Sequence, residues 1–97
     1  MIHLSKVRDG IHKFKVIIQS NTSRKTIKFG AYGYSDYTIH KDPERKKRYI
    51  LRHKDKEDWK DVKTAGFWSR WILWNKKSIL SSIADTRKRF NLKIIYK

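Results

Sequence analysis

The 97-residue chain carries 25 Lys plus Arg against 9 Asp plus Glu and has no cysteine, a formal charge of +16 with neutral histidines. Its length predicts one domain, and the lack of cysteine excludes a disulfide framework, a thiolate nucleophile and a Cys-type zinc site. The longest apolar runs, residues 16–18 and 71–74, fall far short of the ~20 residues that cross a bilayer, and the first ten residues show no apolar signal-peptide region or small-residue cleavage site.

Phe14, Val16 and Ile18 alternate with Lys13, Lys15 and Ile17, a period near 2 that predicts a strand over 12–18. A polar turn cluster follows at 19–24. Ile27 and Phe29 then alternate with Lys28, so the economical prediction is a β-hairpin whose outward faces carry Lys13, Lys15 and Lys28. Gly30 and Gly33 sit among aromatic residues and predict an ordered loop with unusual backbone angles. The loop lacks the Lys-Ser/Thr ending of a phosphate-cradling P-loop.

Asp42-Pro43-Glu44 predicts a helix start, since Asp caps orphan amides and Pro at the first helical position loses no needed donor. The helix runs to His53, with Lys46, Tyr49, Ile50 and His53 on one side and Arg45, Arg48 and Arg52 on another. The cluster Asp55, Glu57, Asp58 and Asp61 reads as a solvated loop or a partner-facing turn, not a polyanion contact. Thr64 is placed to cap a helix through Trp74, apolar around most of its circumference and therefore central and buried. Ser78 is placed to cap a third helix, Ile79 to Phe90, with Leu80, Ile83, Ala84 and Phe90 as its apolar stripe and Arg87, Lys88 and Arg89 in its last turn. Residues 92–96 read as a short strand that can extend the hairpin. The predicted fold class is α+β: a hairpin, two- or three-stranded, packed on two or three helices around the tryptophan-rich one.

Three chemistries are open to these residues. His40, Asp42 and His53 could serve a metal-dependent nuclease, although their spacing matches no metal signature. Phe67, Trp68, Trp71 and Trp74 could stack unpaired bases, but a chain this small buries only about 60–65% of its unfolded surface and needs such rings as core. The charge is the most informative feature. A magnitude of about 2–8 suffices to keep a small domain soluble, and self-repulsion at +16 implies an anionic partner. Arg45, Lys46, Lys47, Arg48 and Arg52, with Arg87, Lys88, Arg89 and the hairpin lysines Lys13, Lys15 and Lys28, are the predicted contact set. No base-reading motif accompanies them, so the expected mode is backbone contact with weak sequence specificity.

An ordered series of aromatic and charged words carries a resemblance. Gly33-Tyr34-Ser35-Asp36-Tyr37-Thr38, His40-Lys41-Asp42, Arg48-Tyr49, Arg52-His53, Glu57-Asp58-Trp59, Thr64-Ala65-Gly66-Phe67-Trp68-Ser69-Arg70-Trp71 and Leu73-Trp74-Asn75 together resemble a family of small basic proteins of nucleocytoplasmic large DNA viruses, over roughly residues 12–95. Lys77 departs from it, standing where the family carries proline ahead of the next helix. The resemblance implies a large-virus origin and no known enzymatic activity, and points to a virion component, packed beneath the capsid or associated with the genome; the expectation is a non-enzymatic structural protein of the virion, present in host cytoplasm or nucleus during infection. It transfers no catalytic residue; with the charge, the expected partners are acidic viral proteins or nucleic acid, and no cofactor, small-molecule substrate or membrane span is expected. The alternatives are a sequence-tolerant DNA- or RNA-binding protein in replication, transcription or packaging, and the small nuclease.

Overall fold

Alternation of apolar side chains builds the sheet. In a computed structural model describing residues 1–97, strands β2 (His12–Gln19) and β3 (Arg24–Ala31) form the expected antiparallel hairpin. Phe14 faces Phe29 and Val16 faces Ile27 in register, which puts four core residues on one face. Strand β1 (Ile2–Lys6), which the sequence reading did not anticipate, pairs antiparallel with β2 and buries Ile2 and Leu4. Strand β4 (Ile94–Tyr96) lies parallel to β1. The order is β3-β2-β1-β4, so the C-terminal strand does not border the hairpin directly: β1 stands between them.

Side-chain caps set the helix starts. Asp36 caps the single turn α1 (Tyr37–His40), Asp42 caps α2 (Pro43–His53), Thr64 caps α3 (Ala65–Trp68) and Ser78 caps α4 (Ile79–Phe90). Lys77 therefore does not displace the start of α4. The tryptophan-rich helix is not regular to its end. After α3 the chain widens into a π-turn (Ser69–Leu73), closed by the Trp74 N–H donating to the Ser69 carbonyl at 3.1 Å.

The core joins sheet and helices in one cluster of 13 buried residues, including Phe67, Trp68, Trp71, Ile72 and Leu73 from α3 and the π-turn. Trp68 packs against Phe29, and Phe67 against Phe90. Three of the four indole N–H groups are used: Trp68 donates to the Val62 carbonyl, Trp71 to the Trp59 carbonyl and Trp59 to the Glu57 carboxylate. They tie the acidic loop down, and the tryptophans are core, not a stacking platform. On α4 the inward stripe differs from the expected one. Leu80 is 69% exposed and Ala84 is exposed, while Ser82, Ile83 and Thr86 are buried. The two hydroxyls face inward because each has a partner: Ser82 accepts from the Lys76 N–H, and Thr86 donates to the Ser82 and Trp71 carbonyls. No helix is long and apolar enough to cross a membrane.

Candidate polyanion interface and the adjoining cleft

The Asp42 cap and Pro43 fix where α2 begins, and the 3.6-residue repeat then distributes its cations. Arg45, Arg48 and Arg52 lie along one exposed face, with Lys47 exposed beside them. At ~1.5 Å rise per residue the three arginines span roughly 10 Å. None of the four is ion-paired; three of the 25 Lys and Arg side chains are, namely Lys13, Lys28 and Arg89.

Several other residues of the predicted contact set have internal work. Lys13 does not project outward: it is 15% exposed and grips the Asp36 carboxylate at 2.6 Å. Lys46 is half-buried, donates to the Asn75 carbonyl at 2.6 Å and sits over the Tyr37 ring; burial holds its ammonium below the usual lysine range. Arg87 donates twice to the Ile94 carbonyl, at 2.9 and 2.6 Å, and so fastens α4 to β4. Arg89 pairs with Asp85 at 3.1 Å and covers the Trp71 ring. Lys28 reaches Asp9 at 3.4 Å from an exposed position. Lys88 is exposed and Lys15 half-buried, and neither is ion-paired.

The carboxylates are consumed locally. Seven of the nine accept internal hydrogen bonds: Asp9, Asp36, Asp42, Glu57, Asp58, Asp61 and Asp85. Bonds from the His12 backbone and ring and from the Ile11 N–H hold Asp9 far below the usual carboxylate range. Burial pushes Asp85 up, but hydrogen bonds from Asn75 and Arg89 outweigh it and its pKa lies below the ordinary value. These bonds fix where the carboxylates stand without neutralising them: only Asp9, Asp36 and Asp85 pair with a Lys or Arg, and the net charge stays at +16.

Sequence reasoning missed a second cationic group. Arg70, on the π-turn, donates to the Trp74 carbonyl at 2.8 Å and stacks 4.3 Å from Trp71 and 5.3 Å from Trp59. Its buried Nε has no partner. Burial is the main cause that lowers its pKa, with Arg89 adding repulsion. Repulsion from Arg70, Lys76 and Arg89 reaches Lys46 in turn, and Asp85 is the carboxylate that opposes it. Nothing in the sequence around Arg70 marks it out, because its partners, the Trp74 carbonyl and the Trp59 and Trp71 rings, meet it only in the fold.

His40, Asp42 and His53 do not converge. The Asp42 N–H donates to His40 Nδ1 at 2.9 Å, which places the ring proton on Nε2, and the Asp42 carboxylate caps α2. The rings form a ladder, His40 on Trp74 (5.3 Å), Trp74 on Tyr49 (4.3 Å), Tyr49 on His53 (4.3 Å), so two aromatic rings separate the histidines. No group of three or more His, Cys, Asp or Glu side chains stands where it could hold a metal ion.

A cleft of about 490 Å³ opens where the hairpin end meets α2 and the π-turn. Gly30, at φ +76°, forms part of its wall. A Cβ there would stand 2.7 Å from Leu73 Cδ1 and 3.2 Å from Lys13 Cβ, so the close approach of strand and π-turn requires glycine. Arg52, the His53–Glu57 pair and Tyr34 also line it.

A family model described as a family of unknown function (DUF5754) matches residues 2–53, more than half of the chain, and the chain belongs to that family. The match runs from β1 to the end of α2 and so contains all four free α2 cations. No curated protein and no solved structure matches the chain.

Proposed function

We propose that this protein is a non-enzymatic basic module that binds a polyanion, with nucleic-acid phosphates as its principal partner and α2 as its principal contact. The observation that carries the reading is the partition of charge. Only Asp9, Asp36 and Asp85 pair with a Lys or Arg, and none of them with α2, while Arg45, Lys47, Arg48 and Arg52 stand exposed and unpaired on that one helix. Charge-assisted hydrogen bonds from arginine suit phosphate oxygens, and without groups placed to read base edges the binding is sequence-tolerant. In the setting the sequence resemblance implies, the module is a virion component that bridges the genome to acidic proteins of the particle.

The test is fluorescence anisotropy with a labelled duplex over a salt series. Six phosphate contacts, from the four α2 cations with Lys15 and Lys88, give a slope of log K against log salt of roughly −5 and a loss of about 10³ between 50 and 200 mM. Micromolar protein that leaves duplex free at 50 mM salt would refute the reading. Copies in stoichiometric amount in purified particles would support the virion placement, and their absence from both capsid and core fractions would end it.

A further inference from the structure

Tyr34 is 72% exposed, unlike the buried Tyr37 and Tyr49, yet it belongs to an ordered turn: its N–H donates to the Ala31 carbonyl at 3.2 Å, and Gly33 supplies the φ of +87° that the turn requires. The turn holds the phenol at the wall of the 490 Å³ cleft, a size suited to one small ligand and not to a duplex. Within the same cleft Arg52 carries a charge without a carboxylate partner, and Ser35, Ser69 and Glu57 supply polar atoms of both hydrogen-bonding kinds. An apolar ligand would leave the polar atoms and Arg52 unused, and a bare anion, even one that takes a hydrogen bond from the phenol O–H, would leave the face of the Tyr34 ring unused. A nucleotide uses all of them.

We infer that the cleft admits one unpaired nucleotide, its base stacked on Tyr34 and its phosphate held by Arg52, so that the protein favours single-stranded nucleic acid over duplex. The inference rests on the polyanion reading and deepens it, because α2 then supplies both the general phosphate contacts and, through Arg52, the cation of the cleft. Base stacking on an aromatic ring tolerates any sequence, in keeping with the absence of a base-reading motif.

The test compares a labelled thymidine 12-mer with a 12-base-pair duplex at 50 mM salt, for the unmodified protein, Tyr34→Ala and Tyr34→Phe. At this exposed position both substitutions are expected to leave the fold intact, with circular dichroism as the check. Tighter binding of the single strand, a loss of about tenfold for that strand alone in Tyr34→Ala, and retention in Tyr34→Phe are the expected results. Equal binding of both probes, or a Tyr34→Ala effect that is absent or the same on both, overturns the nucleotide cleft and leaves the polyanion reading standing. Binding of neither probe overturns both.

Discussion

Helices α2 and α4 are both rich in cations, and the structure uses them differently. On α4, Arg87 is spent on the Ile94 carbonyl and Arg89 on Asp85 and Trp71, which leaves Lys88. On α2, Lys46 is the inward cation, and Arg45, Lys47, Arg48 and Arg52 remain without an ion partner. Equal-looking basic runs thus divide into one that fastens the fold and one left for a partner. Net charge reports their sum and says nothing of the division.

Substitutions can break that contrast. The largest expected effect is on stability, from Lys13→Met: Asp36 is 2% exposed and would keep a carboxylate without its counter-ion, a loss of about 3–5 kcal/mol. Urea denaturation would show a lower midpoint with an unchanged slope, and duplex affinity at 25 °C would hold. Arg87→Ala removes two charge-assisted bonds to one carbonyl and is expected to lower stability by about 1.5–3 kcal/mol, again with phosphate binding intact. If either variant kept its stability and lost affinity, the assignment of that cation to the fold would be wrong.

Acid adds a sharper test of the interior. Burial holds His40 below its ordinary 6.5, so the folded protein resists the proton that the unfolded chain takes up. This contribution to stability is whole above 6.5 and is lost as the pH falls from there through the folded-state value. The thermal midpoint therefore declines on acidification below 6.5, and the decline shrinks in His40→Asn. An unchanged acid decline in that variant would remove His40 as its source. Smallest of all, Lys88→Gln should leave stability unmoved and make the salt slope shallower by about 1.

Local structure was largely readable from the sequence. Asp42, Thr64 and Ser78 cap the helices they precede, and alternation at Phe14, Val16, Ile27 and Phe29 set the hairpin register. Ile2 and Leu4 also alternate, but two apolar residues in a five-residue strand are a weak signal, and without β1 the C-terminal strand has only the hairpin to join. Ser82 and Thr86 displaced Leu80 and Ala84 from the buried face because carbonyls and amides distant in sequence gave their hydroxyls partners. The division of cations was unreadable for the same reason. Nothing near Lys13 announces Asp36, 23 residues away, and nothing near Lys46 announces the Asn75 carbonyl.

The central claim, that α2 and not the total charge holds the polyanion, is tested most directly by the salt slope of duplex binding in the triple variant Arg45→Ala, Arg48→Ala, Arg52→Ala beside the unmodified protein. The account predicts a change from roughly −5 to roughly −2 to −3 with the urea midpoint preserved. A slope that stays where it was, on a protein still folded, would contradict it.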